Sequence, residues 1–193
     1  DPTLGSLDSI CPPAEAAFAL WKSFLDARGI RRIEGRVIGD GSAFDGMREH
    51  PSWSWEDLGS YYGQGSSGLN FCENFLRFNV RPGAKVGDPI RLTQLYPKTP
   101  WLKIEDESST GVPGSGDELY FYTTDFSPKA LMRGTYAVDK KPKVLCCANK
   151  QPELSCATEF LKYLNDNGIT GGKAVGAPKG TGRCELEILG ESE

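Results

Sequence analysis

The side chains best suited to chemistry in this chain stand close together. Trp53-Ser54-Trp55-Glu56-Asp57 is followed by Tyr61 and Tyr62, and then by a glycine-rich turn running on to Asn74. Two carboxylates side by side suggest acid–base work. Neighbouring residues, however, point to opposite faces of an extended segment and sit about 100° apart on a helix, so Glu56 and Asp57 do not converge on one substrate atom. One of them can face a site while the other caps a turn or a helix start. The aromatics Trp53, Trp55, Tyr61 and Tyr62 can wall a ligand site. In most proteins such a stripe is simply a packed hydrophobic cluster.

Other candidate motifs fail on their context. Gly63 to Gly68 spell G-x-G-x-x-G. A dinucleotide site needs that motif between a first strand and a helix, with an acid about 20 residues further on. Here an aromatic and acidic segment precedes it and a strand-like run follows, so no cofactor is expected. Gly114-Ser115-Gly116-Asp117 lacks the G-x-S-x-G pattern of a nucleophile elbow. His50 is the single histidine, and none of the cysteines at 11, 72, 146, 147, 156 and 184 forms C-x-x-C, so no metal site is expected. Six cysteines can pair in 15 ways, or serve as small buried apolar residues. Cys146 and Cys147 are adjacent and would need separate partners, and Cys156 is a candidate partner for Cys146.

Composition removes further classes. Among 193 residues, 22 are basic and 26 acidic, giving a net charge of −4 with no dense basic cluster. No nucleic-acid partner is expected. No apolar run approaches the roughly 20 residues that span a bilayer. The 23 glycines and 13 prolines imply many turns and short elements.

The elements that must position these residues can be read from periodicity. Pro12-Pro13 precede a helical pattern with Ala17, Leu20, Trp21, Phe24 and Leu25 on one face, closed by Gly29. Ile30 and a strand-like run from Ile33 to Ile38 follow. The same phrase recurs after Pro152. At a constant offset of 139 residues, Trp21 falls on Phe160, Phe24 on Tyr163, Leu25 on Leu164, Gly29 on Gly168 and Ile30 on Ile169. This is either two related units covering one sheet or the ordinary look of any helix–glycine–strand joint. Between them, Leu69–Val80, Ile90–Leu95, Leu119–Tyr122 and Leu131–Val138 read as short strands divided by Pro82-Gly83, Gly87-Asp88-Pro89 and the stretch 111–117. The expected fold is α+β. An α/β layer is made from both ends of the chain (1–68 plus 139–193), with a small β-rich subdomain (69–138) nested in it.

Several phrases, in order, resemble one family. Asp1-Pro2-Thr3-Leu4-Gly5-Ser6 opens the series. Gly35-Arg36-Val37-Ile38-Gly39-Asp40 with Ser42 and Phe44 comes next, followed by the Trp53–Asp57 block, Tyr61-Tyr62-Gly63 and Asn74. Then come Pro82-Gly83, Gly87-Asp88-Pro89, Gly114–Asp117 with Tyr120 and Tyr122, and Arg133-Gly134-Thr135. Together they resemble the serine D-alanyl-D-alanine carboxypeptidase/endopeptidases, the class C low-molecular-mass penicillin-binding proteins. In that family S-x-x-K lies before a long insertion of accessory domains, and S-x-N and K-T-G lie after it. The present sequence resembles the insertion. None of its serines begins S-x-x-K or S-x-N, and Lys98-Thr99-Pro100 ends in proline. Acyl transfer needs that serine with a lysine base and an oxyanion hole, so no catalytic residue is assigned to this chain.

The resemblance implies one functional pair. The positions matching Asp57 and Tyr62 face the catalytic cleft in the family and bind the polar end of a diaminopimelate side chain. The resemblance therefore implies three readings. The first is a non-catalytic structural or interaction subunit with protein partners in a larger assembly. The second is a stretch of an active carboxypeptidase acting on peptidoglycan peptides, and the third is a muropeptide-binding module. It also implies an extracytoplasmic location: a bacterial periplasm or envelope, or a plastid or secretory lumen in a eukaryote.

Overall fold

The computed structural model describes residues 3–6, 13–44, 46–125, 127–177, 179 and 187–191. Its elements are α1 (Ala14–Ala27), β1 (Arg32–Asp40), β2 (Phe75–Arg81), β3 (Arg91–Gln94), β4 (Lys103–Asp106), β5 (Ser109–Gly111), β6 (Asp117–Tyr122), β7 (Lys129–Ala137), β8 (Lys143–Ala148), α2 (Pro152–Asp166) and β9 (Thr170–Ala177). The fold is α+β. The chain separates into two compact units, one of residues 1–46, 66–74 and 151–193, the other of 47–65 and 75–150. These boundaries differ from the expected 1–68 plus 139–193 and 69–138. The reason is pairing: β8 joins the ladder of β2, with Phe78 opposite Leu145 and Leu76 opposite Cys147. Residues 143–148 therefore belong with the β-rich unit.

In the α/β unit, β1 and β9 run parallel, with Val37 opposite Ala174 and Ile38 opposite Val175. The internal echo is present in the hydrogen bonding. Ile30 N donates to Leu25 O at 3.0 Å, and Ile169 N donates to Leu164 O at 2.9 Å. Each bond closes its helix across a glycine with positive φ, 70° at Gly29 and 89° at Gly168, a backbone region glycine enters without strain. Two helix–strand phrases thus share one parallel ladder. The inner face of α1 departs from expectation. Ala14 and Phe18 are its buried residues, and Leu20 is exposed. Phe18 was outside the expected stripe, yet its ring meets Trp21, Phe71, Phe160 and Tyr163 at centroid distances of 5.3–6.1 Å.

The β-rich unit packs an antiparallel sheet, β3-β2-β8, against a second sheet in which β7 is central. Alternation on β2 sends Leu76, Phe78 and Val80 inward. They meet Phe121 of β6, Ala130, Met132 and Tyr136 of β7, and Cys147 of β8. β4 and β5 pair with β7 in a single register, Asp106 with Met132 and Ser109 with Thr135, so they act as one strand interrupted at Glu107-Ser108.

Cys72, Cys147 and Cys156 are free thiols, so the expected Cys146–Cys156 bridge is not formed in this structure. Cys146 lies on β8 opposite Arg77, in the β-rich unit, and Cys156 is buried in α2 of the other. Cys11 and Cys184 lie outside the described residues. Burial pushes the Cys156 thiol up to about 12, and raises Cys72 and Cys147 as well. A raised thiol pKa means a neutral, unreactive sulfur near neutrality. At pH 8, iodoacetamide is therefore expected to leave Cys72, Cys147 and Cys156 largely unmodified until the protein is unfolded in urea, as read by peptide mapping.

Candidate functional site

The segment from His50 to Gly63 is built as consecutive turns. Trp53 N donates to His50 O, Asp57 N to Ser54 O, Ser60 N to Asp57 O and Gly63 N to Ser60 O, all at 2.9–3.0 Å. Pro51 suits the first turn because its ring presets φ. The sequence left His50 without a role; its Nδ1 lies 2.7 Å from Ser52 Oγ and helps to shape this turn.

The segment is then fastened to the sheets. Ser60 bridges to Cys147, and Ala148 N donates to Gly59 O at 2.9 Å. Gly59 also lies against β6: a Cβ at this position would stand 1.5 Å from Phe121 O. Only a hydrogen fits there. At the far end, Lys150 Nζ donates to Gly63 O and forms an ion pair with Glu49. The Lys150 side chain is 3% exposed. Desolvation lowers its pKa, partly offset by Glu49 and then by Asp125. Replacing Lys150 by methionine leaves Glu49 largely buried without its cation. The expected loss is about 3 kcal/mol in urea unfolding, with part of it restored by adding Glu49→Gln.

This frame brings Asp57 and Tyr62 together. Tyr62 Oη donates to Asp57 Oδ1 at 2.9 Å. Asp57 is half-buried, and Tyr62 and Glu56 are exposed. The acidic pair diverges, as neighbouring residues must. No described residue hydrogen-bonds to the second Asp57 carboxylate oxygen. The arrangement is thus a partly desolvated carboxylate, oriented by a phenol and able to accept from a cation.

The expected aromatic wall divides in two. Tyr61 meets Tyr62 edge-on at 5.1 Å and Phe75 at 6.3 Å. Trp55 instead stacks on Tyr122 at 4.8 Å, and Tyr122 lies over Tyr120 at 6.3 Å. Trp53 is exposed. Sequence reasoning gave Tyr120 and Tyr122 no place in the wall, although their i, i+2 spacing on a strand sets both on one face. Lys150 and Glu49 gave no local signal at all. Among the described residues no group of histidine, cysteine or carboxylate side chains could hold a metal ion. No helix among them is long and apolar enough to cross a membrane.

Comparison with known proteins fits this frame. The profile of the D-Ala-D-Ala carboxypeptidase 3 (S13) family matches residues 1–184, and the chain belongs to that family. Among solved structures it is similar to penicillin binding protein 4 (dacB) from Haemophilus influenzae. The TM-score is 0.70 at 18% identity, over 91% of this chain and 38% of that one. The same protein complexed with a novel β-lactam (CMV) gives a TM-score of 0.55 at 13% identity, over 91% of this chain and 36% of that one. At these identities the likeness concerns the fold. The chain spans well under half the length of those structures. A search of the curated proteins finds no match.

Proposed function

We propose that this chain is a non-catalytic part of an S13-type protein that works by contact, presenting Asp57 and Tyr62 to an ammonium-bearing peptide side chain. The observation that carries the proposal is the Tyr62–Asp57 hydrogen bond on a segment locked by Gly59 and Lys150. The positions match those that bind diaminopimelate in the family, and a carboxylate facing an ammonium makes a charge-assisted hydrogen bond. The sequence holds no S-x-x-K, so an acyl-transfer serine would come from a partner or from another part of the protein. Peptidoglycan peptides would place the protein outside the cytoplasm. Calorimetric titration with a diaminopimelate peptide tests the proposal: saturable heat supports it, and no heat removes it.

A second reading is favoured by coverage. The chain accounts for 38% of a similar penicillin-binding protein, so it can be a stretch of an active carboxypeptidase. Labelling the native protein with fluorescent penicillin separates the two. A labelled species well above 21.1 kDa supports the second reading. An unlabelled native protein supports a module that relies on a separate catalytic partner.

A further inference from the structure

We propose that the β-rich unit carries a second binding site, a shallow groove beside Trp55 that takes one pyranose ring of an N-acetylated glycan. The groove encloses about 250 Å³. Trp55 forms one wall. The residue is 63% exposed although its ring stacks on Tyr122 with planes 27° apart. One face of the indole is therefore fixed by Tyr122 while much of the ring remains open to solvent.

The other walls are polar. Glu105 lies 3.3 Å from Lys103 and 3.6 Å from Lys129. The hydrogen bond from Lys103 and the charge of Lys129 hold its carboxyl below the usual range, so it is an acceptor at neutral pH. Thr123 Oγ1 donates to Lys129 O at 3.4 Å, and Thr124 adds an exposed hydroxyl. Half-buried Leu131, paired across the ladder with Glu105 on one side and Tyr122 on the other, gives a small apolar spot.

A pyranose has one face of C–H bonds and a rim of hydroxyls. It fits an aromatic face set against donors and acceptors, and an acetamido methyl fits against the Leu131 side chain. A proline-rich segment would need a series of apolar slots, and this groove has one aromatic wall. The inference does not depend on Asp57 and Tyr62.

The test titrates the full chain with the β-1,4-linked disaccharide of N-acetylglucosamine, following tryptophan fluorescence and backbone amide shifts. Saturable binding at a roughly millimolar dissociation constant is expected, with shifts in residues 123–131. Trp55→Ala and Glu105→Gln are each expected to weaken binding about tenfold. Trp55→Phe, which keeps a ring, should retain most of it, and cellobiose, which lacks the acetamido group, should bind several-fold more weakly. Unchanged spectra up to roughly tens of millimolar sugar would overturn the proposal. So would full binding by Trp55→Ala, or Trp55-dependent binding of a proline-rich peptide in place of the sugar. If the sugar binds while a diaminopimelate peptide does not, only the reading of Asp57 and Tyr62 fails.

Discussion

Gly59→Ala is expected to destabilise the β-rich unit by at least about 3 kcal/mol and to lower its Tm by roughly 10 °C. The added methyl would stand 1.5 Å from Phe121 O, inside any allowed contact. Relief requires either the segment or strand β6 to move. Moving the segment breaks the bond from Ala148 N to Gly59 O, and moving β6 disturbs Phe121 in the core. Neither route is cheap in a packed interior. Gly35→Ala is the control. Nothing lies within 4 Å of its added carbon, so its effect should stay within about 0.5 kcal/mol. Urea unfolding of both variants, with thermal melts, checks the contrast. Equal stability of the two would mean that residues 59–60 do not lie along β6 and β8 as described.

Asp57→Asn is expected to weaken binding of a diaminopimelate peptide about tenfold, and Tyr62→Phe about threefold. A hydrogen bond to a charged partner contributes roughly 1.5–3 kcal/mol in favourable cases. Asp57 is only half-buried, so the lower end applies. Asparagine keeps the shape and can still accept from the Tyr62 phenol, but it has no charge to offer an ammonium. Phenylalanine keeps the ring and its edge contact with Tyr61 while removing the donor that orients the carboxylate. Both variants should melt close to the parent, because the pair lies at the surface. Calorimetry at low and moderate salt checks the order, and the loss in Asp57→Asn should shrink as salt rises.

The fold was legible in the sequence where local rules decide it. Gly29 and Gly168 marked helix ends because only a positive φ closes them economically, and the echo at an offset of 139 residues proved to be one pair of capping bonds repeated. Alternation located β3, and strand-favouring composition located β6 and β7. Alternation misled at Leu69–Val80, read as one strand. Cys72, Glu73 and Asn74 all adopt positive φ, and the strand begins only at Phe75. Strand β8 carries no alternation to read, because Val144-Leu145-Cys146-Cys147-Ala148 is an unbroken apolar run. In the fold Cys146 and Cys147 are ladder positions opposite Arg77 and Leu76.

The candidate site was legible to a different degree. Asp57 and Tyr62 came from resemblance, and their hydrogen bond follows from a run of turns that local residues encode. The fastening of those turns was invisible. Gly59 fits against Phe121, 62 residues away, and Lys150 reaches Gly63 and Glu49 across still longer separations. No window along the chain contains both members of such a pair. The same holds for Trp55 and Tyr122, whose stacking divides the aromatic stripe between two surfaces.

In the proposed function Asp57, oriented by Tyr62, receives a side-chain ammonium. The most direct measurement is calorimetric titration of the full chain with two peptides that differ only in whether the residue is diaminopimelate or 2-aminopimelate, which lacks the distal amine. At least tenfold tighter binding of the diaminopimelate peptide is expected, with loss of that difference in Asp57→Asn. Equal binding of the two peptides by the parent chain, or an undiminished preference in Asp57→Asn, would contradict it.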